Sequence, residues 1–518
     1  MLTGQRTDIC VIGSGVAGAL IAHTCASQGL SVTVLEAGPR FDRAARHEQA
    51  RRRRLGFDPW PMDPARNQFV NASAFAYPLN DYRLRAVGGS TLHWSGVAQR
   101  LRESDFETHT RYGIGVDWPL RYADLEPHYL RAEWELGVAG EPGIHGPPRG
   151  GAFPMPAFPE GHGDAVWRAA AARAGVSLER ASYAKNNLVS HDGRPACATF
   201  ATCTICPIGA QYSADWHVLK AEATGRCTVI PDAPVRRIEI DTDGSARVVH
   251  ATRWEGGDIE VSARAVVVAA HAIESTRLLQ LSGIGNPTHL GRHLMEHWEI
   301  HSRGLADERT APFRVGFPTL KSYQWYDGTE REGRGAIGLT LHDQVDPLKR
   351  FGPTPGQWGR SLAQQDCDTF GRWRAIEAMT EHLPNSASRV DLDPEVRDPF
   401  GDPVPRFRFE SSELDRRTQD AARAAIGELF DAAGLQQSEI AAEPFGAAHH
   451  MGTCRMSHRP EDGVVDPNGL VHGTDNLYLA GSAVFPTGGA VTPTLTIAAL
   501  ALRLADHLVT VHRGGGAT

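Results

Sequence analysis

The stretch from Asp8 to Glu36 constrains this chain more than any other. Asp8 to Ile12 (DICVI) is a short apolar run of the kind a buried parallel strand shows. It leads into Gly13-Ser14-Gly15-Val16-Ala17-Gly18, then an apolar helical pattern to about Gln28-Gly29. A β-branched run, Ser31 to Leu35, follows and ends at Glu36. Strand, glycine loop, helix, strand and terminal acid make a βαβ unit. Gly13 permits the tight turn, Gly15 lets backbone approach a pyrophosphate, and Gly18 lets the helix pack on the strand. The helix N-terminus offers free N–H groups to phosphates, and Glu36 is placed to accept hydrogen bonds from a ribose. The motif predicts a dinucleotide site without separating NAD from FAD.

At 518 residues the chain is long enough for two or three domains. Apolar residues are 41% and charged residues 22%, so a large core is within reach. Lys plus Arg is 53 and Asp plus Glu is 61, a formal charge of −8, which argues against nucleic acid as the main partner. No uninterrupted run of 18 apolar residues occurs, so no membrane span is expected. The opening MLTGQRTDIC has no long apolar stretch, and eight Cys do not make a disulfide scaffold, so the expected compartment is the cytoplasm.

Residues 40–60 are highly charged, and the run Arg51 to Arg54 reads as an interleaved helix face with His47 and Glu48. From Cys227 to Ala270 the pattern is β: CTVI, VRRIEI, ARVVHAT, IEV and AVVVAA, a small meander feeding one buried strand. Residues 300–445 lack a dinucleotide signature. They carry strand-like pieces such as Ser388 to Leu392 and a helix near Glu413 to Ala433. Near the C-terminus, Thr492-Pro493 reads as a helix start, Thr as N-cap and Pro at the first helical position, before an apolar helix from Thr494 to about Leu508.

Six separated motifs then stand in one order. They are the Gly13–Gly18 loop with Glu36, GGSTLHW at Gly88–Trp94, VVVAAHAIESTRLL at Val266–Leu279, GRHLMEH at Gly291–His297, HHMGTCRM at His449–Met456 and NLYLAGSAVFPTGG with its following PTLTIAALALRLADHL. On these the chain resembles the glucose–methanol–choline (GMC) oxidoreductases over nearly its whole length, most of all bacterial sugar and polyol dehydrogenases and pyranose-oxidase-like proteins. The resemblance implies an α/β fold: a Rossmann-like FAD-binding domain from 1–298 and 445–518, and a discontinuous antiparallel-sheet substrate domain at 299–444 to which parts of 150–225 can belong. It implies FAD, held by Gly13, Gly15, Gly18, Glu36, Gly88, Gly89, Ser90, His93, Val235, Gly481, Ser482 and Thr494.

The implied chemistry is oxidation of a hydroxyl of a sugar, glycoside or polyol by hydride transfer to flavin, with oxygen or another carrier taking the electrons. The base is the His of H-x-x-G, here His449 with Gly452. An imidazole suits the task because its free pKa lies near neutral. His450 is its neighbour, and successive side chains of an extended segment point opposite ways. The family's second residue, an Asn or His before P-T-L-T, is Thr492 here. A hydroxyl can still donate one hydrogen bond, or Thr492 only caps the helix. That departure keeps two other readings open, lyase or isomerase chemistry on this fold and a flavin-binding subunit without catalysis. His93 stands where pyranose oxidases bond their flavin covalently and where related dehydrogenases do not. Trp325, Tyr326, Trp358 and Trp373 are candidates for stacking on a sugar. Cys197, Cys203 and Cys206 fall within ten residues and resemble a run that holds an iron–sulfur cluster in some related dehydrogenases, though the second gap is one residue shorter here. A reduced or disulfide-linked loop is the other reading.

Overall fold

The computed structural model describes residues 2–187, 189–198, 204–310, 317–343 and 358–513. Its central sheet begins with the predicted βαβ unit. Strand Leu2–Ile12 pairs in parallel with Val32–Leu35 on one side and with Asp258–Val268 on the other. Helix Val16–Ser27 crosses between the first two strands and buries ten of its residues, as its apolar sequence requires. Cys227–Ile230 extends the sheet beyond Val32–Leu35.

Asp258–Val268 joins two kinds of pairing. Its first residues pair antiparallel with Ala246–Thr252, which pairs with Val235–Ile240; its last residues pair in parallel with Leu477–Leu479. The IEV and AVVVAA segments are therefore one continuous strand. This strand carries the meander into the core and brings the C-terminal region against the dinucleotide loop.

The second sheet is antiparallel. Its order is Gln436–Ile440, Trp298–Leu305, Trp373–Thr380, Ile337–Asp343, Leu320–Ser322 and Glu179–Arg180. Phe445–Gly446 also pairs with Trp298–Leu305. Side chains alternate across these strands. Ile300, Leu320, Leu339, Leu341, Ile376 and Ala378 point to one face, where they pack in one core with residues of helices His162–Ala174 and Glu413–Ala433. The other face turns towards the dinucleotide loop. Helix Glu413–Ala433 starts with a capping box, Ser412 against Asp415, and ends at Gly434 in the left-handed conformation.

The C-terminal helix is Thr494–Arg513. The sequence expectation for its start is corrected here. Pro493 supplies the carbonyl that accepts from the Ile497 N–H, while the Thr492 hydroxyl donates to the Val97 carbonyl at 3.1 Å. The side chain that would have capped the helix is used across the chain instead. The stretch Thr494–His512 is also apolar and long enough to cross a membrane, and 56% of that window is buried. It packs on helices Val16–Ser27 and Tyr122–Leu136, which gives it a place in the core.

Candidate active site

A cavity of about 1120 Å³ runs from the Gly13–Gly15 loop to the polar face of the antiparallel sheet. That is more room than a site for one drug-sized ligand usually has, ~300–1,000 Å³. Gly13, Gly15, Glu36, Gly89, Ser90, His93, Val235, Gly481, Ser482, Thr492, Thr494 and His449 all line it. Gly18 and Gly88 lie behind its wall. A Cβ on Gly18 would stand 2.0 Å from the Gly13 carbonyl oxygen, so Gly18 serves the packing of helix on strand. Gly88 has φ 102° and its N–H donates to the Ser14 hydroxyl.

The loop fits a dinucleotide. Gly13 has φ 98°, and a Cβ there would meet the Ala269 carbonyl oxygen at 2.5 Å, whereas Gly15 has open space where its Cβ would stand. Glu36 is buried. Its Oε2 accepts from the Ser14 N–H and hydroxyl at 2.9 and 2.6 Å, and its Oε1 accepts from the Gly38 N–H at 3.0 Å. Burial raises its pKa. The carboxylate thus locks the glycine loop, and its remaining lone pairs are what a ribose hydroxyl can use. His93 closes another part of the wall. Its Nε2 is buried without a partner among the described residues, and burial holds the ring down to about 4. A neutral nitrogen in that position suits either a hydrogen bond or a bond to a flavin. Arg53 and Arg54 line the cavity and stay exposed.

At the far end of the cavity two histidines fix each other's protons. His297 Nε2 stands 2.8 Å from the Gly489 carbonyl oxygen. A carbonyl only accepts, so that nitrogen carries the proton and Nδ1 of the neutral ring is a lone pair. The lone pair faces His449 Nδ1 at 2.9 Å, which is therefore the donor. His449 is left with Nε2 as an open acceptor on a ring that lines the cavity. Burial holds His297 down to about 4 and His449 well below the ordinary histidine value, so both rings are neutral near pH 7.

His450 is tied up by the same logic. The Ile273 N–H donates to His271 Nδ1 at 3.4 Å, so His271 Nε2 donates to His450 Nδ1 at 3.1 Å. His450 Nε2 then donates to the Tyr77 hydroxyl at 2.8 Å, and Tyr77 donates to Glu296. Both ring nitrogens of His450 are occupied, so of the adjacent pair only His449 can take a proton from a ligand. Glu296 ties the two networks together. Its Oε1 accepts from the backbone N–H of His449 at 2.6 Å and of His297 at 2.8 Å. Burial pushes Glu296 up to about 7, against the pull of these donors.

The sheet face opposite carries a polar row in register. Lys321 pairs with Thr340, Thr340 with Glu377, and Glu377 with His301, one residue from each of four strands. All four line the cavity, with Glu299, His342 and Met379 beside them. None of the four aromatic residues expected to stack on a sugar lines this cavity. Tyr326 is fully buried and donates to Asp105, Trp325 packs on the helix side of the sheet, Trp373 lies against Arg303, and Trp358 is 83% exposed.

Sequence reasoning passed over His297, Glu296, Tyr77 and Lys321. The first two sit inside the motif GRHLMEH, and the sign available was a Glu-His pair just before a strand. Lys321 puts a charge inside a short strand that is buried throughout. Of the three clustered cysteines, Cys203 lies outside the described residues. Among the described residues neither Cys197 nor Cys206 joins a grouping of three metal-ligand side chains.

Known proteins complete the picture. GMC oxidoreductase family models match residues 83–299 and 384–501, and a NAD(P)-binding Rossmann-like model matches residues 11–57. The chain is 31% identical to the fructose dehydrogenase large subunit of Gluconobacter japonicus, covering 97% of each chain. It is also 31% identical to the 6'''-hydroxyparomomycin C oxidase of Streptomyces lividus, over 97% of this chain and 92% of that one. Formate oxidase of Aspergillus oryzae RIB40 has the same fold, with a TM-score of 0.69 at 17% identity over 99% of each chain. With the glycine loop, the cavity and these relatives together, the chain belongs to the GMC oxidoreductase family and is an FAD-dependent alcohol oxidoreductase.

Proposed function

We propose that this enzyme oxidises a hydroxyl of a sugar, glycoside or related polyol, with His449 Nε2 as the base that takes the hydroxyl proton. The observation that carries this reading is the His297–His449 pair, which leaves one open imidazole lone pair facing the cavity. The relatives support the substrate class: one is named for fructose, one for a hydroxyparomomycin and one for 2-methyl-1,2-propanediol. All three are named as oxidases or dehydrogenases, which disfavours lyase or isomerase chemistry and a role without catalysis.

FAD, when bound, supplies the acceptor for the hydride. The chain supplies the rest. Gly13, Gly15 and Glu36 hold the adenosine end, while Gly481, Ser482, Thr494 and His93 stand along the wall towards the flavin end. The polar row of the antiparallel sheet receives the hydroxyls of the substrate, and an apolar alcohol would leave those groups unpaired. His449 needs no prior deprotonation, because His297 already holds its proton on Nδ1. Once it takes the substrate proton, the imidazolium is held by the lone pair of His297.

An anaerobic screen of sugars and polyols for flavin bleaching tests the proposal. Bleaching by sugars or polyols and not by simple alkanols is expected; bleaching by simple alkanols alone would remove the substrate class. Reoxidation with air, quinones and cytochromes then assigns the electron acceptor.

A further inference from the structure

On the sheet floor of the cavity, Lys321 makes no ion pair with a carboxylate among the described residues. Lys321 is 6% exposed and lines the cavity with His449. Its ammonium makes one hydrogen bond, to the Thr340 hydroxyl at 2.9 Å. Among the described residues it makes no ion pair, so two of its three N–H groups are unused. An ammonium buried in this way is costly unless a ligand completes its bonding. Its place is set by strand alternation. Leu320 points to the helix side, and Lys321 therefore points to the cavity, in register with Thr340 and Glu377.

A second observation meets this one. The position where the family resemblance expects an Asn or His is Thr492, and the Thr492 hydroxyl hydrogen goes to the Val97 carbonyl. The cavity thus holds a base whose expected donor is engaged elsewhere, and an ammonium with N–H groups to spare. We propose that Lys321 donates to the substrate oxygen whose proton His449 takes, and so acts as a catalytic residue of this enzyme. The inference rests on the reading of His449 as the base.

The step balances. The O–H bond breaks and its proton passes to His449 Nε2. The electron pair left on oxygen closes the C=O bond while the carbon's hydrogen departs with its own pair, the two electrons by which substrate is oxidised and FAD reduced. Negative charge grows on the oxygen as the proton leaves ahead of the hydride. A fixed ammonium stabilises that charge more than it stabilises the neutral hydroxyl. The same cation, after burial and His297, helps keep His449 neutral.

The groups that face Lys321 give a pH signature. Burial lowers its pKa to about 8, with Glu299 and Glu377 opposing the shift. Glu179 pairs in register with Lys321 on its other side, and His342, His301 and Arg303 share the face, each beside a glutamate. The donor is lost as pH rises through that value, so flavin reduction falls on the alkaline side.

The test uses FAD-loaded wild type, Lys321→Met, Lys321→Arg and His449→Ala. The non-activity readout is sodium acetate, whose carboxylate stands in for the charged oxygen. Its binding to the oxidised holoenzyme is followed by flavin absorbance at pH 7. Lys321→Met is expected to weaken acetate binding at least about 10-fold and to slow anaerobic flavin reduction at least about 100-fold, as loss of one such donor does. Lys321→Arg should retain acetate binding and lose the fall near pH 8. Lys321→Met that binds acetate and reduces flavin as wild type does overturns the proposal. Should the Met variant not fold, an Arg variant that still falls near pH 8 overturns it equally. His449→Ala that reduces flavin at the wild-type rate removes the base and not Lys321, because acetate binding reports the ammonium separately.

Discussion

His297 Nδ1 and His449 Nδ1 stand 2.9 Å apart, and two ring nitrogens at that distance share a single proton. The Gly489 carbonyl decides which ring owns it, by accepting from the Nε2–H of His297. A backbone atom of the C-terminal region thus sets the tautomer of the base through one intermediate ring. His297 acts through His449 and is a positioning residue.

This relation has a pH consequence. His449 is held well below the ordinary histidine pKa, by burial first and by His297 second. The neutral ring is the active form and is lost as pH falls through its pKa. Flavin reduction in the wild type should stay level below pH 6.5, the ordinary value, before it drops. His297→Ala takes the acceptor from the His449 Nδ1–H and frees the tautomer. The maximal rate should fall roughly tenfold or more. An unchanged maximal rate in His297→Ala would contradict the pairing.

The glycines separate folding from cofactor binding. Gly15 has nothing within 4 Å of where a Cβ would stand, and a Cβ on Gly18 would strike the Gly13 carbonyl oxygen. Gly15→Val should fold with a wild-type far-ultraviolet spectrum and emerge without flavin colour. Gly18→Val should fail to give soluble protein. A yellow Gly15→Val protein with full FAD content would mean that the cofactor does not approach this loop.

Glu296 accepts from two backbone N–H groups and the Tyr77 hydroxyl in the core. Glu296→Ala leaves those donors buried and unpaired, at about 1–3 kcal/mol for a typical orphaned group. Urea unfolding should show a loss of at least about 2 kcal/mol, with Glu296→Gln losing less because its carbonyl can still accept. Equal stability of Glu296→Ala and wild type would show that the clamp does not hold.

Thr492 gives a contrasting case. Its hydroxyl hydrogen is committed to Val97, so Thr492→Val should lose about 1 kcal/mol of stability. The flavin reduction rate should stay within about threefold of wild type. A drop near 100-fold would return Thr492 to the substrate.

The sequence made the dinucleotide half of this site legible because its physics is local. Gly13, Gly15, Gly18 and Glu36 act within one βαβ unit, where spacing along the chain is spacing in the fold. Helix Glu413–Ala433 was legible for the same reason, since a helix is set by neighbours along the chain. The reactive end is assembled from distant pieces. His297 meets His449 across 152 positions, and Thr492 meets Val97 across 395. The polar row Lys321–Thr340–Glu377–His301 exists only once four strands are in register. The aromatic candidates misled because Tyr326 was free to serve an internal carboxylate, a role that composition does not reveal.

The most direct test of the central claim is anaerobic rapid mixing of FAD-loaded His449→Ala with a sugar or polyol that bleaches the wild type. If His449 Nε2 takes the hydroxyl proton, the rate of flavin reduction should fall at least about 100-fold. FAD content should stay at the wild-type level, because the glycine loop and Glu36, proposed to hold the cofactor, line another part of the cavity. Reduction by His449→Ala at the wild-type rate, with the same substrate and full FAD, would contradict the assignment of the base.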